Sequence, residues 1–210
     1  MQWKNKAALL GVAWAIACGG AMAAPHAAHR DGPKPTADAQ EMAQWVQHTG
    51  DAGGRPYLVV DKKAAQLYVY RPDGRLQAAT PVLLGAARGD TGVPGVGDRA
   101  QSGSLPFDER TTPAGRFVTQ PGRNLQGESV VWIDYDAALA IHRVRPGRSH
   151  AMRAARLQQS RPEDRRLSLG CVVVPVSFYL NVVEPLLGRH AGVVYVLPET
   201  QSMRELITSM

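Results

Sequence analysis

From Tyr57 onward the chain is cut into apolar runs too short for helices, each closed by a turn signal. Tyr57-Leu58-Val59-Val60-Asp61 and Gln66-Leu67-Tyr68-Val69-Tyr70 are rich in β-branched and aromatic residues, flank the charged pair Lys62-Lys63, and lead into Pro72-Asp73-Gly74. This is the pattern of a meander of strands. Ala79 to Leu84, Gly115 to Thr119, Ser129 to Asp134, Ala138 to His142 and Val193 to Leu197 extend it. Helical spacing is prominent in two places. Ala37 to His48 carries Met42, Trp45 and Val46 on one face, with Thr36 as N-cap and Gly50 as stop; Pro175 to Leu187 carries Val176, Tyr179, Leu180 and Val183, with Pro185 disturbing its end. A mainly β, β-rich α+β domain over residues 56–198 is therefore predicted, after a leader and short helix over 24–55 and before a polar tail over 199–210.

The first residues supply an address. Lys4 and Lys6 precede an apolar run from Ala7 to Ala17, and Ala21-Met22-Ala23 has the small-x-small form of a cleavage site. Residues 1–23 thus read as a cleavable secretion signal, and the expected location is the periplasm. The run is too short to span a bilayer, so no transmembrane helix is expected in the mature chain. Ala15-Ile16-Ala17-Cys18 weakly resembles a lipoprotein signal, the less favoured alternative. Of the 210 residues, 187 remain, enough for one domain. The net charge of +6 falls to about +4 without the two leader lysines. An exported basic chain without basic-aromatic interleaving is a poor nucleic-acid binder and suits a carboxylate-rich cell wall.

Two segments stand outside the β pattern. Residues 85–111 form a glycine-rich loop in which Gly95-Val96-Gly97-Asp98-Arg99-Ala100 loosely matches a dinucleotide fingerprint. Gly103, Pro106 and Pro113 argue against a following helix for a pyrophosphate, so a surface flap is expected. Residues 143–167 hold eight arginines against Glu163 and Asp164. Such a run is either a solvated face or a basic lid for carboxylates, with a short helix near Ala151 to Gln159.

Cys171 is the only cysteine beyond the leader. An unpaired thiol in an oxidising compartment is a reactive group or a buried structural one. Gly170 before it allows a sharp turn, so that the amides of Gly170 and Cys171 would face an oxyanion. A nucleophilic thiol needs a partner that raises its thiolate fraction. His142, 29 positions upstream at a strand end, is the candidate, against the alternative of a structural histidine. A zinc site from His142, His150 and Cys171 lacks any recognisable ligand spacing, and no metal or other cofactor is expected.

Ile141-His142 followed by Ser168-Leu169-Gly170-Cys171, with Thr112-Pro113-Ala114-Gly115-Arg116-Phe117 upstream, resembles the signature of L,D-transpeptidases with the YkuD-like catalytic domain, over about residues 56–198. The resemblance implies a β-sandwich fold, peptidoglycan stem peptides as substrates, Cys171 as acyl-accepting nucleophile, His142 as base, and Gly170 with Cys171 at the oxyanion hole. Ser168, Leu169, Val173 and Arg143 are the expected substrate-binding positions. Three departures stand out. The His-to-Cys interval is longer than usual, which makes the arginine-rich segment an insertion. Leu169 replaces a common second His, and Val173 a common Asn or Arg. The expected activity is transpeptidation, with hydrolysis at the same site or a peptide-binding relic as alternatives. The loss of a polar group at 173 is expected to slow turnover.

Overall fold

The computed structural model describes residues 32–210. The leader reading and Cys18 lie outside them. No described helix is long and apolar enough to cross a membrane. Helix α1 (Ala37–Thr49) is capped as its sequence predicts, the Thr36 hydroxyl accepting from the Ala39 amide and Gly50 closing the helix with a left-handed backbone. Strands β1 (Tyr57–Asp61), β2 (Gln66–Tyr70) and β3 (Leu76–Pro81) form the expected meander. β4 (Leu84–Gly85) follows, then α2 (Val96–Ser102). A helix in the glycine-rich loop was not expected; it is only seven residues long, begins at a left-handed Gly95 and ends at Gly103.

β5 (Gly115–Val118), β6 (Gln120–Arg123), β7 (Ser129–Asp134) and β8 (Leu139–Arg143) come next, then α3 (His150–Leu157), a 3₁₀ turn (Pro162–Arg165), β9 (Arg166–Ser168) and β10 (Val172–Val174). The helix after Pro175 runs through α4 (Val176–Phe178), a π-helical turn (Tyr179–Val183) and α5 (Glu184–Leu187). Here Glu184 donates five residues back to the Tyr179 carbonyl, so the wide turn accommodates Pro185, which has no amide hydrogen to give. β11 (Val193–Val196) and α6 (Met203–Ser209) complete the chain.

One sheet has the order β3-β2-β1-β11-β5 and a second the order β10-β8-β7-β6, with β4 and β9 forming a short third pair. β1 runs parallel to β11, and β8 parallel to β10. The two large sheets face each other across the main core, Leu58, Val60, Leu67, Val69, Val194 and Val196 from one meeting Val131, Ile133, Ile141, Val172 and Val174 from the other. The architecture is an α+β sandwich. The other face of the first sheet is also covered: Tyr57, Val59, Tyr68, Tyr70, Val193 and Tyr195 pack against Met42, Ala43 and Val46 of α1 and Leu206 of α6. This double burial explains why β1 and β11 read as continuous apolar runs. It also packs onto the domain both α1, the short helix that the sequence predicts, and α6, a helix within the stretch that reads as a polar tail.

Candidate active site

The register between β8 and β10 sets out the site. Val172 lies opposite Ile141 and Val173 opposite His142. Side chains alternate along strands, so Ile141, Val172 and Val174 enter the core while Ala140, His142, Cys171 and Val173 share the opposite face. Trp132, paired with Ala140 on β7, joins them. Cys171 and His142, 29 residues apart in sequence, are brought by two adjacent strands to the wall of one cleft of about 320 Å³.

The loop bearing Cys171 is fixed by hydrogen bonds. The Ser168 hydroxyl donates to the Cys171 carbonyl at 2.6 Å and accepts the Gly170 amide at 3.1 Å. The Thr112 hydroxyl donates to the Gly170 carbonyl at 2.7 Å and accepts the Gly85 amide at 2.9 Å. Gly170 has φ +139°, and a Cβ there would sit 2.7 Å from the Thr111 carbonyl oxygen, so no other residue fits without displacing that segment. Its amide is committed to Ser168. The expectation that this amide faces an oxyanion is thereby corrected: Gly170 shapes the loop, and Ser168 staples it.

His142 is buried, and its Nδ1 lies 2.8 Å from the Arg143 carbonyl oxygen. A carbonyl only accepts, so Nδ1 carries the hydrogen and Nε2 keeps a free lone pair. Burial, and then the positive charge of Arg145, lower its pKa to about 4, with Arg153 acting in the same direction. The imidazole is therefore neutral at physiological pH and able to accept a proton. Burial pushes the Cys171 thiol up, against opposing pulls from backbone groups at Ala140 and Cys171 and from Arg145 and Arg153. The thiol donates to the Ala138 carbonyl at 3.4 Å, as a neutral S–H would. The resting pair is a thiol and a neutral imidazole.

Ser168, Leu169, Gly170, Cys171 and His142 all line the cleft, Leu169 with its side chain exposed. Arg143 and Val173 do not. Arg143 pairs with Glu128 at 3.3 Å. Val173 is fully buried, bridged through its backbone to Leu83 and packed with Val144 and Leu157. A β-branched residue flanked by valines is a core residue, and that plain signal outweighs the position's place in the signature. Val173→Asn is accordingly expected to lower stability by about 2 to 4 kcal/mol, by stranding an amide in an apolar cluster, and not to accelerate any reaction. Chemical denaturation, read at unchanged m-value, checks it.

Four further residues, none of them assigned to the site from the sequence, shape or line the cleft. Thr112 lies within the signature, but its contact with Gly170 joins positions 58 apart. Trp132 packs across Gly122, where a Cβ would come within 2.4 Å of its indole nitrogen, and meets Tyr135 edge-on at 5.1 Å, giving the cleft an aromatic wall. Arg145 and Arg153 line the cleft beside His142. The glycine-rich loop, expected as a surface flap, supplies another wall through Gly92, Val96 and Thr111. Within the arginine-rich segment, α3 is anchored by buried Leu157. His150 lines a different groove, and no cluster of three metal-ligating side chains occurs among the described residues.

No family model matches the chain, and no curated protein does. Among solved structures, the catalytic domain of the Enterococcus faecium L,D-transpeptidase is 21% identical, with 69% of this chain and 98% of that one covered and a TM-score of 0.36. L,D-transpeptidase 1 of Mycobacterium tuberculosis is 16% identical, with coverages of 68% and 60% and a TM-score of 0.34. The helical cell shape determining protein Pgp2 of Campylobacter jejuni is 14% identical, with coverages of 80% and 58% and a TM-score of 0.42. The chain thus spans about three fifths of the length of the last two.

Proposed function

We propose that this protein is a cysteine acyltransferase of the cell wall, acting in the periplasm on peptidoglycan tetrapeptide stems as an L,D-transpeptidase. One observation carries the reading: the only cysteine of the described residues and a neutral histidine with its free nitrogen available line the same cleft, His142 on β8 and Cys171 immediately before the adjacent β10. The order of His142, Ser168, Gly170 and Cys171, with Thr112 to Phe117 upstream, supports the substrate class.

In this mechanism the Cys171 Sγ attacks the carbonyl carbon preceding the terminal D-residue while His142 Nε2 takes the thiol proton. The Cys171 amide is the candidate donor to the developing oxyanion, since that of Gly170 is engaged. The carbon–nitrogen bond breaks, His142 returns the proton to the departing amine, and a thioester remains. An acceptor amine, losing its proton to His142, then breaks the carbon–sulfur bond, and the thiol is restored. Because the resting thiol is neutral, proton removal accompanies attack.

Incubation with disaccharide-tetrapeptide, followed by mass analysis of the soluble products, tests the proposal. Cross-linked dimers that have lost one D-alanine support transfer. Tripeptide products alone would make the protein a hydrolase using the same acyl-enzyme, and unchanged tetrapeptide would leave only binding.

A further inference from the structure

The arginines of the 143–167 segment are not equivalent. Arg143 pairs with Glu128, Arg156 and Arg161 with Asp164, and Arg166 with Glu199. Arg165 is buried and donates to the Gln159 and Ala64 carbonyls. Arg148 is exposed. Arg145 and Arg153 differ from all of these in lining the cleft with His142 and Cys171; the Nε of each, like that of Arg165, is buried without a hydrogen-bond partner. Arg145 is only loosely compensated, 3.6 Å from a Glu128 carboxylate that Arg143 already shares. Arg153 has no ion pair among the described residues. The one acid lining the cleft, Glu109, is held by Arg99. The cleft therefore carries positive charge that no acid of its lining compensates, and unspent donors, in addition to the aromatic side chains of Trp132 and Tyr135. Buried donors of this kind favour an oxyanion, and the guanidinium fork suits a planar carboxylate.

We infer that Arg145 and Arg153 form a carboxylate clamp that selects an acyl donor whose departing residue carries a free α-carboxylate. The inference rests on the acyl-transfer reading and specifies which part of the donor the site recognises. Its geometry follows from His142. The departing amine must come next to His142 to receive a proton, and the carboxylate of a departing amino acid is attached one carbon away from that amine. Both arginines line the cleft that holds His142. Arg145 follows His142 by three residues, and Arg153 is presented by α3 from the insertion, so the added segment completes the leaving-group side. After bond cleavage the clamp holds a free amino acid, which must dissociate before the acceptor amine enters.

Affinity separates this inference from the catalytic proposal. Full-length Cys171→Ala protein, unable to turn over, is titrated calorimetrically with disaccharide-tetrapeptide and with the same compound amidated at its terminal D-alanine. The free acid should bind about 10- to 100-fold more tightly than the amide, the range for charge-assisted hydrogen bonds. Adding Arg153→Gln should collapse that ratio to about two- or threefold, Arg145→Gln should reduce it in part, and Arg153→Lys should restore only a fraction, because a point charge lacks the fork. Thermal unfolding verifies that each variant is folded. Equal affinity for acid and amide, absence of binding by either, or a ratio untouched by both Gln substitutions would overturn the clamp. Each reading is independent of whether the native enzyme turns over.

Discussion

Cys171→Ala is expected to abolish acyl transfer, lowering turnover at least about a thousandfold while leaving the fold intact. The size follows from the chemistry. Without Sγ no thioester forms, and no other thiol lies among the described residues. The small structural cost follows from the loop. Its shape is held by Ser168 through the Cys171 carbonyl and by Thr112 through the Gly170 carbonyl, and neither contact uses the sulfur. Stability should fall by less than about 2 kcal/mol, the value for truncating a small, partly buried group. Product formation followed chromatographically, beside thermal unfolding of the same samples, checks both halves. Retention of more than a few per cent of activity would place the nucleophile elsewhere.

Asp90→Ala should have the largest effect on stability, about 3 to 5 kcal/mol, the cost of leaving a buried charge without its partner. The Lys62 ammonium, wholly buried, donates to Asp90 at 2.6 Å and to the Gly89 and Thr112 carbonyls at 2.6 and 2.8 Å. The Asp90 carboxylate also accepts the amides of Glu199, Thr200 and Gln201 and the Thr200 hydroxyl. Removing it leaves Lys62 only the more distant Glu199 carboxylate, at 3.9 Å, and frees the segment that leads to α6. It also loosens Thr112, whose hydroxyl holds Gly170, so activity should fall together with stability. The carboxyl is costly to bury, yet its hydrogen bonds with Lys62, Thr200 and the neighbouring amides hold it well below the usual carboxylate range. A lowered folded-state value means that its stabilisation is fully present above the ordinary value near 3.8 and is lost progressively as pH falls below it. Wild-type stability should therefore decline in acid, and Asp90→Ala should flatten that decline. Urea unfolding between pH 3 and 7 measures the difference.

Cys171 and His142, which the fold brings to one cleft, were legible because each rests on a local signal: a lone thiol after a glycine, and a histidine at a strand end. Other parts were not, for reasons of tertiary placement. Lys62-Lys63 reads as a solvated turn, yet Lys62 points inward because Asp90 and two carbonyls surround it, while Lys63 remains outside with Asp38. Arg145 and Arg153 are indistinguishable from six other arginines until the packing of Leu157 orients α3. Leu206 lies in a polar stretch, but its helix begins with a capping box at Ser202 and Glu205, a signal present in the sequence. The valines after Cys171 announced a buried strand. Only by putting the signature ahead of that pattern was Val173 assigned to the substrate.

The most direct measurement is the intact mass of the wild-type protein, mixed with disaccharide-tetrapeptide and quenched in acid within the first turnovers. The account predicts an added mass equal to the donor minus one D-alanine, localised by digestion to the peptide containing Cys171, labile to hydroxylamine as a thioester, and absent from Cys171→Ala. Turnover without any such adduct, or an adduct that persists when Cys171 is replaced, would contradict it.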